Sequence, residues 1–549
     1  MSPEPPTGNP FSGVSERVSR LGSVARIFLE WNVSVHGRLV FTGPELLVSF
    51  LSGVVNLVVL AGGSALYFPD SANYVLSAYS MFLDGNFHVG FARTPGYSLF
   101  LSPIVGLAGA HAMIAMMTVQ HALVVLLSIG VVKIGDQLDR SKALGLVAGV
   151  LSAFSLQLAA YANLPMSEVL YAALATWGLL FALRYVRQDH VDQLIAAMVL
   201  FSAATVVRPA GQFLAFVLIG FATLRLFIPA LLPDASPGTG NGPKRVKAVA
   251  SAATVCFTIV TPWIFFNYAH YGFFGLGGNP GLNLYSNTVE YGDFQDGNSP
   301  AIADIRRQWE VSEAKSVARG ETPEPLSTWR NHWASMTHYM DATGLPMWKA
   351  DKVFLKAAVD AIKAHPEAYV RHVLENIYRN LVYAEPAYLY LPGLRDGEKG
   401  AGFMRYALPV SNLEGPRRNL ADAVDRRGLL EVNPIRFNEP TVLTPVYGFL
   451  AFAYHSVQLH GTRLLAVFAA GFALAVWNGF RPGGMLWWVV LAYVAYLAFV
   501  PMLVVPASPR HRLPADPAIA LLYGTFIVFV IRAGWRIVRR TAELAMERK

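Results

Sequence analysis

The feature that most constrains this chain is a series of about eleven apolar runs, each near the ~20 residues that a helix needs to cross about 30 Å of hydrocarbon. They fall near residues 46–67, 111–134, 142–161, 168–186, 192–207, 210–231, 247–267, 441–457, 463–479, 484–505 and 516–533. A soluble core has no use for so many separate runs of that length. The composition agrees, because 54% of the 549 residues are hydrophobic and only 15% are charged. The expected fold class is therefore an all-α polytopic membrane protein.

The first run follows a polar, Arg-bearing leader of more than forty residues, which is not the layout of a cleaved signal peptide, so it is expected to stay as an anchor. The single cysteine, Cys256, lies within an apolar run, which excludes an intramolecular disulfide and any cysteine metal cluster built by this chain alone. The net charge of +8 comes from basic residues that are dispersed or flank apolar runs, so it points to retained cytoplasmic ends and not to nucleic acid.

Arg17, Arg20, Arg26 and Arg38 precede the first run, and Arg532, Arg536, Arg539, Arg540, Arg548 and Lys549 follow the last. The positive-inside rule then puts both termini in the cytoplasm. The basic loop from Pro237 to Lys247 fits a cytoplasmic linker, which leaves residues 68–110, the turn at 162–168 and the long segment after 267 outside. An odd number of crossings is incompatible with both termini on one side. Eleven is thus one too many or one too few, with the stretch Val370–Leu394 the first candidate for a missed segment.

The external side carries the chemistry. Asp70 follows Pro69 at the mouth of the first span, where partial desolvation would raise a carboxylate's pKa and suit it to general-base work, although Asp is also a preferred N-cap. Arg93, in Arg93-Thr94-Pro95-Gly96-Tyr97-Ser98, suits a phosphate at the interface or a snorkelling role without a ligand. Glu168 opens the fourth run, either capping that helix or binding sugar hydroxyls or a divalent ion together with Asp70. Arg208-Pro209 falls between the fifth and sixth runs, again outside.

The turn Ser508-Pro509-Arg510-His511-Arg512-Leu513-Pro514 gathers cations on the side that the positive-inside rule disfavours, which points to an anionic ligand such as a phosphate headgroup. Trp309, Trp329, Trp333, Trp348 and Tyr339 in the large external segment either stack on sugar rings or build that segment's core. The sequence has no P-loop, no dinucleotide fingerprint and no His-Glu-x-x-His motif.

Taken in order, these pieces resemble the GT-C glycosyltransferases, in the branch of the protein mannosyltransferases and the lipid A aminoarabinose transferase. The matching residues are Asp70, then Arg93-Thr94-Pro95-Gly96-Tyr97-Ser98-Leu99-Phe100, Ser167-Glu168, Arg208-Pro209, Thr261-Pro262-Trp263, Gly281-Leu282-Asn283-Leu284-Tyr285 and Arg510-His511-Arg512-Leu513-Pro514. The resemblance implies a GT-C fold with about 11–12 transmembrane helices, amphipathic helices in the first external loop and a small external domain. It further implies an inverting transferase in a plasma membrane, the bacterial inner membrane, with its site on the external or periplasmic face. The donor would be a sugar on a polyprenyl phosphate, and the acceptor a hydroxyl of a glycan, lipid or protein in the cell envelope.

On this reading Asp70 is the catalytic base, and Glu168, Tyr74, Tyr97 and Asn283 bind donor or acceptor. Arg93, Arg208, Arg510, His511 and Arg512 bind phosphate. No cofactor is assigned; the carboxylate that some relatives carry next to the base is replaced here by Ser71 and Ala72, which leaves a divalent cation open. The segments that follow are a leader at 1–41, a membrane module at 42–267 with its catalytic loop at 68–110, an external segment at 268–440, C-terminal helices at 441–536 and a basic tail at 537–549. The competing reading is a transporter or flippase of lipid-linked sugars. The absence of evident repeats and of charges deep within the runs counts against it. A noncatalytic assembly subunit would have no need of Asp70 and the arginines together.

Overall fold

The computed structural model describes residues 32–35, 38–63, 66–67, 69–85, 93–227, 242–277, 279–292, 299–320, 330–382, 408–409, 441–458, 461–481 and 483–547. Most of the leader, the centre of the basic loop at 228–241, Trp329 and the last two residues lie outside them. The chain is an all-α polytopic membrane protein, with two short antiparallel ladders as its only strands among the described residues. These are β1 (Asn32–Val35) with β2 (Arg38–Thr42), and β3 (Leu66–Tyr67) with β4 (Leu408–Pro409).

Among the described residues each of the apolar runs is helical over most of its length. α1 (Gly43–Gly62) starts on a capping box, in which Thr42 Oγ1 accepts from the Glu45 amide and Glu45 Oε2 accepts from the Thr42 amide. After α2 (Pro69–Leu83) and α3 (Gly96–Ala108) in the first loop come α4 (Ala112–Leu138), α5 (Ala143–Ala153) and α6 (Leu156–Tyr161). α7 (Glu168–Gln188), α8 (Val191–Val207), α9 (Gln212–Phe227) and α10 (Gly242–Tyr271) complete the first half. Among the described residues six helices are long and apolar enough to cross a bilayer: α1, α4, α7, α10 and two near the C-terminus. They pack around one extended apolar core in which Leu101, Met117, Tyr161, Tyr171 and Leu183 are almost wholly buried.

A second, smaller core belongs to the segment after α10. It contains α11 (Pro280–Tyr285), α12 (Pro300–Ala318), α13 (His332–Thr343), α14 (Met347–Ala364) and α15 (Pro366–Val382). Trp309 and Tyr339 are core residues here, with Phe354 edge-on to Tyr339 at 5.9 Å, whereas Trp333 is exposed. The stretch proposed as a missed crossing begins with α15. This helix carries Glu367, Arg371, Glu375 and Arg379 and belongs to the segment after α10; 383–394 lies outside the described residues.

Ion pairs label the two ends of the bundle. At the far end Lys133 pairs with Glu45 at 2.6 Å, Arg532 with Asp139 at 2.7 Å and Arg245 with Asp189 at 2.9 Å. At the other end lie Asp70, Glu168, Arg208 and Arg510.

These labels bear on the parity conflict and point to an overcount. α16 (Thr444–Gln458) begins at the site end, because Thr441 Oγ1 donates to the Ala61 carbonyl at 2.7 Å and Thr444 Oγ1 to that of Gly62 at 3.2 Å. α17 (Gly461–Gly479) and α18 (Met485–Val504) form a hairpin whose turn is closed by the Gly484 amide on the Arg481 carbonyl and by Phe480 edge-on to Trp488. α18 ends at the site end, since α19 (Pro509–Arg512) places Arg510 on Asp70 five residues later. α17 therefore starts at the site end, two residues after α16 stops. Among the described residues α16 thus has both ends at the site end, and α20 (Asp516–Glu547) brings the chain back to the far end.

Candidate active site

Asp70 sits in the first turn of α2, one residue inside the helix that Pro69 opens, where a carboxylate suits the helix dipole. It is not an N-cap. Its Oδ1 is paired with Arg93 Nη2, and its Oδ2 accepts from Arg510 Nη1 at 3.1 Å, so the chain brings together residues 440 positions apart. The expectation of a raised pKa is overturned. Burial does push the carboxyl up, but Arg93 and Arg510 outweigh it and hold Asp70 below its usual value of 3.8.

The arginines are positioned by different means. Arg93 lies over the Tyr74 ring at 5.7 Å from its centroid; Tyr74 in turn shares a 3.3 Å hydrogen bond with Ser167 and accepts at its carbonyl from Ser98 Oγ. Gly96 follows because the start of α3 lies on the end of α8, where an added Cβ would stand 2.6 Å from the Val206 carbonyl oxygen. Arg208 ends α8 in an extended conformation (φ −145°, ψ 131°), the region that a following proline imposes, and its Nη1 meets Glu168 Oε1 at 2.5 Å. Arg510 is the most exposed of the three, with 30% of its side chain accessible, and Asp70 and Glu168 together favour its charged form.

Several sequence assignments change. Glu168 is 1% exposed and its Oε1 is paired with Arg208, while its Oε2 is buried without a hydrogen-bond partner among the described residues. Tyr97 is fully buried, donates to Gln120 Oε1 at 2.8 Å and packs edge-on to Tyr74, which makes it a support of the site and not a ligand contact. Tyr74 is 6% exposed and serves mainly as the seat of Arg93. Asn283 lies on α11 in the second unit, half-buried, and no described contact joins it to Asp70.

The three consecutive residues of the late basic turn have three different fates. Arg510 faces Asp70. Arg512 is 6% exposed and spends its donors on Asp516, on the Asn380 and Leu381 carbonyls and on Gln157, which withdraws it from phosphate binding. His511 is held well below its ordinary value, first by burial and then by Arg510 and Arg208, so it is neutral and offers an anion no charge. Its Nδ1 is buried without a hydrogen-bond partner among the described residues.

Three guanidinium groups face two carboxylates, leaving one positive charge at the centre of the site. Both carboxylates already meet arginines, and among the described residues no group of three or more His, Cys, Asp or Glu side chains is placed to hold a metal ion. The arrangement suits a monoanion such as a phosphodiester better than a cation.

Sequence reasoning missed the polar layer beneath the site. Gln120 donates to the Ala162 and Leu164 carbonyls, and Asn163 reaches both His121 and the Val59 carbonyl, fastening the turn that leads into Glu168. Gln120 and His121 stand adjacent near the middle of a mainly apolar run, which is the signal that was available.

No family model matches the sequence, and no curated protein does. Solved structures do. Oligosaccharyltransferase AglB of Archaeoglobus fulgidus, in complex with an inhibitory peptide and a dolichol-phosphate, is 12% or less identical in its several structures; the match with the peptide complex has 11% identity, a TM-score of 0.45 and covers 91% of this chain. This chain spans about half the length of that protein, 51%. ArnT of Cupriavidus metallidurans bound to undecaprenyl phosphate is 13% identical, with a TM-score of 0.33 over 88% of this chain and 77% of its own. The S. cerevisiae protein O-mannosyltransferase complex bound to the sugar donor is 15% identical, with a TM-score of 0.35 over 45% of this chain and 37% of its own. These neighbours are GT-C glycosyltransferases, the class that the ordered motifs of this sequence resemble.

Proposed function

We propose that this protein is an inverting membrane glycosyltransferase that moves a sugar from a polyprenyl-phosphate donor to an acceptor hydroxyl. The observation that carries this is the meeting of Asp70 with arginines from two distant parts of the chain, with a third arginine beside them on Glu168. A carboxylate and a surplus of guanidinium groups at one end of a membrane bundle supply a proton acceptor and an anion site together.

In the reaction, the acceptor oxygen attacks the anomeric carbon from the face opposite the phosphate while its proton passes to Asp70. The bond from that carbon to the phosphate oxygen breaks, and the electron pair leaves with polyprenyl phosphate. Arg93, Arg208 and Arg510 stabilise the charge gathering there, and such preorganised charge is a large part of catalysis in many enzymes. The external face is supported by the positive-inside rule, since Arg532 and the following arginines lie at the end opposite the site.

The test uses purified full-length protein, defined polyprenyl-phosphate sugars and candidate hydroxyl acceptors. Asp70→Asn should lower transfer by about 10²–10⁴-fold, the usual contribution of a general base, with unchanged thermal unfolding. Transfer by a folded Asp70→Asn protein at the wild-type rate would remove Asp70 from the chemistry.

A further inference from the structure

In this structure both oxygens of Asp70 are engaged. Arg93 takes Oδ1 and Arg510 takes Oδ2, so a hydroxyl arriving now would find both carboxylate oxygens committed to guanidinium groups. The two arginines are not held equally. Arg93 is also fixed over Tyr74, whereas Arg510 has Asp70 as its one hydrogen-bond partner among the described residues, is the more exposed, and sits on a helix of only four residues. Arg510 is the guanidinium that can change partners at the lower cost.

We infer that Asp70 and the phosphate of the donor compete for Arg510, so that a phosphodiester entering the site draws Arg510 off Oδ2 and exposes the base. The inference rests on the reading of the site as a phosphate-dependent transferase and adds an order of events. The phosphate-bearing substrate binds first, because only it frees the group that activates the hydroxyl. With the donor absent, the masked carboxylate neither accepts a proton nor activates water.

Direct competition has a consequence that long-range charge does not. Removing the charge of Asp70 must release Arg510 to the ligand, whereas removing that of Glu168 raises the net charge equally but unfastens Arg208. The probe is a prenyl methyl phosphodiester, singly charged across the working pH range, titrated by calorimetry into full-length protein in detergent. Asp70→Asn and Asp70→Ser should both bind it about tenfold more tightly than wild type, near the low end of coupling between close charge pairs. Glu168→Gln should bind no more tightly than wild type.

Unchanged or weaker binding by folded Asp70 variants would overturn the competition. Equal tightening by Glu168→Gln would overturn it as well, because net charge alone would then account for the effect. Failure of the wild-type protein to bind the phosphodiester at all would instead remove the phosphate reading from which the inference starts. The serine variant keeps the question answerable should the asparagine variant not fold.

Discussion

At the scale of single residues, the late basic turn shows how far a motif carries. Arg510, His511 and Arg512 look like three cations for one anion. In a helix, however, neighbours one and two positions apart do not share a face. Arg512 therefore points away from Asp70 into the protein and holds α15 and α20 together through the Asn380 and Leu381 carbonyls and Asp516. Arg512→Met should leave the Asp516 charge buried and unpaired, costing about 3–5 kcal/mol of stability, seen as a lower melting temperature. A variant as stable as wild type but inactive would return Arg512 to the phosphate site.

His511 gives a pH dependence of definite sign. Its folded value is depressed, so below 6.5 the unfolded chain binds a proton that the folded protein does not. Its contribution to stability is full above 6.5 and is lost as pH falls. His372, also depressed by burial, acts in the same direction. The melting temperature should therefore fall between pH 7 and pH 5, and His511→Gln should flatten that fall without abolishing it; an unchanged slope would show that His511 titrates normally. The pairing of Asp70 acts lower, present above 3.8 and lost as pH drops below it.

At the scale of elements, hydropathy found every long apolar helix because length and composition decide whether a segment can sit in a bilayer. It could not distinguish α16, which reads as one more apolar run, from a crossing. What decides is where its ends are tied: the first turn to the last carbonyls of α1, and the end to a hairpin leading back to Arg510. Cysteines introduced at Thr441 and Gln458 should react with an impermeant maleimide from the same side of sealed vesicles, and one at Arg481 from the other. Labelling of Thr441 and Gln458 from opposite sides would restore the eleventh crossing. Cys256, buried in α10, should stay silent as background.

At the scale of the whole molecule, the order of the motifs made the site's membership largely legible. Asp70, Arg93, Glu168, Arg208 and Arg510 gather at one end as their shared side of the hydropathy pattern requires. Their pairing was not legible. Asp70 looked like a half-desolvated carboxylate because nothing in the sequence around it shows that Arg510, from the far end of the chain, completes its surroundings and reverses the sign of its pKa shift. The buried layer of Gln120, His121 and Asn163 was hidden for a similar reason, since its bonds join three separate helices and turns.

On the function proposed above, this bundle makes a bond and does not merely move a lipid. The measurement that tests it most directly is mass and stereochemical analysis of what sealed vesicles containing the protein do to a labelled polyprenyl-phosphate sugar in the presence of hydroxyl acceptors. The account predicts a new glycosidic product of inverted anomeric configuration, released polyprenyl phosphate in equal amount, and neither from vesicles carrying Asp70→Asn. Donor carried across the membrane unchanged, with no product in either case, would contradict it.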